Sequence, residues 1–159
     1  MKPEYRRRSS PDARSSKGNS MSKGSLLLVD DDRHVLSSMA DWLRGLGHEL
    51  DTADSLAQAI EAIGRKEYDV VLADIRLADG DGTEILVECT QNHPGTSVIM
   101  ITGYGTVESA VEAIRAGAFD FLTKPLIDEE LEMAIERALG QRRVITENKN
   151  LKSQLDMRF

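Results

Sequence analysis

One cysteine, Cys89, stands alone in 159 residues. No disulfide can close within the chain, and a reducing cytoplasmic compartment is the simplest setting for it. No apolar stretch approaches the roughly 20 residues that a bilayer-spanning helix needs. The basic N-terminus has no hydrophobic segment behind it, so it does not read as a secretory signal. A Walker A loop is missing too, so the chain as given holds no P-loop for ATP hydrolysis. Positive charge is scarce outside the tail: residues 1–24 carry seven Lys/Arg against two Asp/Glu, while the whole chain stands at −7. Such an acidic body is poorly suited to neutralising phosphates, and neither direct DNA binding nor a membrane role is expected of it.

What is present divides into three parts. Residues 1–23, rich in Ser, Arg, Lys, Gly and Pro, have almost nothing to bury and are expected to form a disordered basic tail. Arg6, Arg7 and Arg8 there read as a solvated run rather than a binding patch. From Ser25 apolar runs of strand length alternate with segments of helical spacing. "SLLLV" precedes Val35, Leu36, Met39, Leu43 and Leu46, which recur at three and four residues. A short strand over 49–52 precedes a helix with Leu56, Ile60 and Ile63. "DVVLAD" precedes Ile85, Leu86 and Cys89, and "SVIMIT" precedes Val107, Val111 and Ile114. "FDFLT" precedes Leu131, Ile135 and Leu139. Runs as apolar as Val98 to Ile101 suit strands covered on both faces, which predicts a parallel, doubly wound α/β/α sandwich over residues 24–140. Beyond Gly140, Val144, Asn148, Leu151 and Leu155 recur at four, three and four residues. They predict a helical, coiled-coil-like linker over 141–159.

The polar residues fall at the strand ends. Asp30 and Asp31 follow the first strand, Asp74 ends the third, Thr102 the fourth and Lys124 the fifth. In an open parallel sheet these carboxyl ends line one crevice, where ligands bind. Carboxylates with a main-chain carbonyl make an oxygen site for Mg²⁺, and a carboxylate beside such an ion can act as a nucleophile toward phosphorus. A lysine and a hydroxyl suit the oxygens of the transferred group. The constellation reads as a phosphoryl-acceptor site.

"LLLVDDDRHVL", "DVVLADIRLADGDGTEIL" and "VIMITGYGTVESAVEAIRAGAFDFLTKPL" resemble the receiver domain of bacterial two-component response regulators, and most of all receivers of the NtrC class. The resemblance implies a flavodoxin-like five-stranded parallel sheet of order 2-1-3-4-5. It implies Asp74 as the phospho-acceptor, Asp30 and Asp31 as the acidic pocket, and Mg²⁺ held by Asp30, Asp31, Asp74 and the carbonyl of Arg76, with Asp31 as the direct ligand. Thr102 and Lys124 would bind the phosphoryl group, with Thr102 and Phe121 as switch residues. Lys124-Pro125 matches the family's Lys-Pro pair, whose bond is usually cis. The implied partners are a sensor histidine kinase and a second copy, paired through the fourth helix, fifth strand, fifth helix and linker. The implied output is a sigma-54-dependent activator domain absent from the chain; a stand-alone signalling receiver is the alternative. The module is expected to be a switch and not a turnover enzyme. Ala78 departs from the pattern, which usually has proline there, and Asp32 is expected to cap the first helix.

Two rival readings use the same residues. Residues 77–88 nearly fit a calcium-binding EF-hand loop, but Leu77 occupies the first ligand place. "LLLVDDD" resembles the start of haloacid-dehalogenase-type phosphatases with Asp30 as nucleophile, yet His34 stands where Thr or Val is wanted. His34, His48 and His93 follow no ligand spacing and are expected at the surface or at helix ends. Trp42 is expected to be partly buried, and Cys89 to be a buried helix residue.

Overall fold

A computed structural model describes residues 23–103 and 105–141. Residues 1–22 of the expected tail and the expected linker seam from Val144 lie outside the described residues, whereas Lys23 is described and donates to the Leu46 carbonyl at 2.6 Å. Five strands form one parallel sheet: β1 (Ser25–Val29), β2 (Glu49–Ala53), β3 (Val70–Asp74), β4 (Ser97–Thr102) and β5 (Asp120–Thr123). Their spatial order is β2-β1-β3-β4-β5, as expected. The helices between them are α1 (Arg33–Gly45), α2 (Leu56–Arg65), α3 (Thr83–Asn92) and α4 (Val107–Arg115), and α5 begins at residue 128.

Alternation along each strand explains the layers. Leu27 and Val29, Val71 and Ala73, and Val98 and Met100 point to one face, under Leu56, Ile63, Ile85 and Leu86 of α2 and α3. Leu26 and Leu28, Val70 and Leu72, and Ile99 and Ile101 point to the other, under Leu36 and Leu43 of α1 and Leu131 and Ile135 of α5. Each fully buried Leu or Ile contributes about 1.5–3 kcal/mol relative to exposure, so α5 is firmly held by Leu131, Ile135 and Leu139, all buried.

Two features add to the sequence reading. Val107, Val111 and Ile114 mark α4 at the right place, but they are 81%, 41% and 47% exposed, and Ala113 is the helix's one buried residue. Periodicity located the helix; the stripe it found faces away from the sheet. His48 is buried, its Nδ1 accepting a hydrogen bond from the Gly24 amide at 3.2 Å. Burial and the neighbouring Lys23 charge both push its pKa down. A further element has no counterpart in the sequence reading: Arg76–Leu77 and Gly80–Asp81 pair as a small antiparallel hairpin between β3 and α3. Among the described residues no helix is long and apolar enough to cross a membrane.

Candidate functional site

Strand register brings the polar residues together. Val29 pairs with Ala73, so Asp30 and Asp74 occupy the next rung. Asp74 pairs with Ile101, which puts Thr102 one step beyond, and Thr102 pairs with Thr123, immediately before Lys124. The main chain fastens this edge: Asp30 N–H donates to the Ala53 carbonyl at 3.2 Å, Ile75 to Ile101 at 2.9 Å, and Lys124 to Thr102 at 2.8 Å. The Lys124-Pro125 bond is cis.

Asp30 and Asp74 are buried and Asp31 is exposed; one carboxylate oxygen from each lies within 4.8 Å of the others. Lys124 Nζ donates to Asp74 Oδ2 at 2.7 Å and to Asp30 Oδ2 at 3.1 Å. Burial alone would lower the lysine's pKa, but hydrogen bonds and charge from Asp74 and Asp30 outweigh it and raise it. The other oxygens are oriented by backbone: Asp32 N–H donates to Asp30 Oδ1 at 2.9 Å and Arg76 N–H to Asp74 Oδ1 at 3.2 Å. Asp32 itself caps α1, accepting from the His34 and Val35 amides. Three carboxylates and one ammonium leave a formal charge of −2, open to solvent at Asp31. A donor set of oxygens alone, with that charge and an exposed side for water, fits a hard divalent cation such as Mg²⁺.

Thr102 is buried at the end of β4, and Phe121 is partly buried in β5 against the α2–α3 side of the core. Two glycines to which the sequence assigned no part in the site also shape this edge. A Cβ on Gly82 would fall 2.0 Å from the carbonyl oxygen of Asp74, so only glycine lets α3 begin there. A Cβ on Gly105 would fall 2.3 Å from Thr123 Cγ2, 3.3 Å from Phe121 Cε1 and 3.5 Å from Thr102 Cγ2. The loop before α4 is thus packed against both expected switch residues. Neither requirement is visible in the sequence, because it arises from where the fold brings the Asp74 carbonyl and the Thr123 side chain. Cys89 is buried, its thiol pushed up to about 12 mainly by burial. Trp42 is partly buried and lines a groove of about 500 Å³ that also holds Met39, Lys124, Pro125 and Leu131.

Comparison with known proteins agrees with this fold. The family described as "Response regulator receiver domain" matches residues 26–136. The transcriptional regulatory protein ZraR of Klebsiella oxytoca is 39% identical over 119 residues, covering 75% of this chain and 27% of ZraR. The chain therefore spans only about a quarter of the length of that relative. Among solved structures, the beryllofluoride-activated NtrC4 receiver domain dimer has a TM-score of 0.70 and 36% identity, covering 74% of this chain and 98% of NtrC4's. NtrX from Brucella abortus has a TM-score of 0.76 and 36% identity, covering 82% of this chain and 30% of NtrX.

Proposed function

The chain belongs to the response regulator receiver family, and from that premise we propose that it is a cytoplasmic phosphoryl-acceptor switch, charged on Asp74 by a sensor histidine kinase. The observation that carries the reading is the shared lysine: Lys124 Nζ reaches both Asp74 and Asp30 at the open edge of the parallel sheet.

Asp74 is the carboxylate presented for attack, its two oxygens oriented by the Arg76 amide and by Lys124. In transfer a carboxylate oxygen of Asp74 bonds to phosphorus while the P–N bond of the donor phosphohistidine breaks. The electron pair leaves on the imidazole nitrogen, which takes up a proton. The Lys124 ammonium, already at the carboxylate, neutralises charge on the transferred oxygens, and the Thr102 hydroxyl donates to another. Asp30 holds Lys124 in place throughout. Asp31, Asp74 and Asp30, with the carbonyl of Arg76, would hold Mg²⁺, which supplies positive charge against the acidic cluster and the incoming phosphoryl group. Water attacking phosphorus later returns the Asp74 carboxylate and inorganic phosphate, so the module resets and does not turn over a substrate.

The signal leaves through the loop before α4. Thr102, drawn toward the phosphoryl group, carries with it the segment packed on Phe121 through Gly105, and Phe121 repacks. α4 is held by little buried area and shows its Val107, Val111 and Ile114 stripe outward. That stripe and the neighbouring β5 and α5 suit pairing with a second copy, continued along the linker, and NtrC4's receiver is a dimer by description. The output is a transcription activator of the NtrC class, in keeping with ZraR.

The test is labelling with radioactive acetyl phosphate and Mg²⁺. Asp74→Asn abolishes uptake and Asp30→Asn slows it; the reverse pattern would favour a phosphatase-like nucleophile at Asp30.

A further inference from the structure

The hairpin that follows the acceptor is too small to hold itself. Its arms are two residues each, and only Ala78 and Asp79 separate the Leu77–Gly80 pair. Two-residue hairpin loops favour the primed turns, which need positive φ at the first central residue. Among the described residues no non-glycine has positive φ, so the Ala78-Asp79 turn is not of that kind. A ribbon of this length, joined by a turn that does not match strand twist, is not stable alone.

Its anchor is the N-terminus of α2. Asp79 Oδ1 accepts from the Leu56 amide at 2.8 Å and Oδ2 from the Ala57 amide at 3.1 Å. Ser55 Oγ takes the Gln58 amide at 3.1 Å, so the two side chains between them satisfy three amides at the helix start. Those amides hold the Asp79 carboxyl below the usual carboxylate range. Beside this contact Leu77 is buried in the same core cluster as Leu56, and Gly80 lies against Leu56, where a Cβ would come within 2.7 Å of Cδ2. The ribbon's other end rests on the acceptor itself. Gly82 N–H donates to the Ile75 carbonyl at 2.6 Å and abuts the Asp74 carbonyl, while Arg76 N–H reaches the Asp74 carboxylate.

We propose that Asp79 is a positioning residue for the acceptor. By clamping the 76–81 hairpin to α2 it fixes the Arg76 amide and carbonyl and the carboxylate of Asp74. Asp79 is exposed and lies outside the Asp30, Asp31 and Asp74 cluster, so it acts through the hairpin and not on the phosphoryl group. The inference rests on Asp74 being the acceptor, and its test separates the two.

Four proteins are compared: wild type, Asp79→Ala, Asp79→Asn and the double variant Ala78→Pro with Asp79→Ala. Proline at the first turn position stiffens the hairpin without replacing the lost helix cap. The readouts are Mg²⁺ affinity by calorimetry without any donor, the labelling rate with acetyl phosphate at saturating Mg²⁺, and hydrogen exchange at the Leu56 and Ala57 amides. Asp79→Ala weakens Mg²⁺ binding and slows labelling about tenfold, the lower end of what losing a group that orients metal ligands costs. Asp79→Asn, which retains one carbonyl acceptor, falls between. The double variant recovers affinity and rate, while Leu56 and Ala57 still exchange fast. If Asp79→Ala speeds that exchange but leaves Mg²⁺ affinity and labelling at wild-type values, Asp79 is a helix cap and the proposal is overturned. If proline restores neither, the loss comes from α2 and the proposal also falls. Absence of label in wild type would sink the acceptor reading, with the Mg²⁺ affinities still deciding the role of Asp79.

Discussion

Lys124 concentrates the chemistry of the site in one nitrogen. Asp30 and Asp74 are nearly closed to solvent and share this ammonium at 3.1 and 2.7 Å, whereas Asp31 stands in water. Removing one partner of a buried ion pair leaves an uncompensated charge behind, which costs more than the pair itself contributes. Lys124 is partly exposed, so the loss sits below the range for fully buried pairs. Lys124→Met, which keeps most of the apolar stem, should lower stability by about 2–3 kcal/mol without divalent cations. Mg²⁺ should restore part of that loss by supplying the missing positive charge. Urea unfolding with and without Mg²⁺ measures both effects; equal stability of wild type and variant in the metal-free buffer would contradict this account.

At the scale of elements, the rim between β1 and β2 carries a pH dependence. His48 accepts from the Gly24 amide and its folded pKa lies below the ordinary 6.5. The unfolded chain therefore takes up the proton first. Stability is complete above about pH 6.5 and falls as pH drops below that value, until the folded imidazole also titrates. His48→Asn, whose amide oxygen can accept without titrating, should flatten the decline in melting temperature between pH 7 and 5; an unchanged slope would refute the assignment. The sheet was legible in the sequence because each central strand is an unbroken apolar run. The site was legible because parallel strands end on one edge, which gathers Asp30, Asp74, Thr102 and Lys124 without any local motif. Periodicity fixed α4 in the chain but not the direction of its stripe, since spacing records a face and not what covers it. The hairpin at 76–81 is too short to have a period. Asp79 stood out in the sequence only as a ligand place of the calcium-loop rival, because the amides it satisfies lie 22 and 23 residues earlier.

For the whole molecule, phosphorylation at one edge of the sheet is expected to change how two copies meet. The exposed Val107, Val111 and Ile114 stripe lies on the helix that follows the Thr102 loop. Phosphorylated protein should therefore dimerise more or less tightly than unphosphorylated protein in sedimentation. Thr102→Ala should still accept label while losing much of that difference; identical dimer constants in both states would refute the coupling and leave the acceptor site standing. The acceptor itself is tested most directly by chemical trapping. Protein labelled with acetyl phosphate and Mg²⁺ is reduced with borohydride, which converts an aspartyl phosphate to homoserine, and is then mapped by peptide mass. Conversion is expected at Asp74 alone and is lost when Mg²⁺ is chelated; conversion at Asp30 or Asp31, or none at any aspartate, would refute Asp74 as the acceptor.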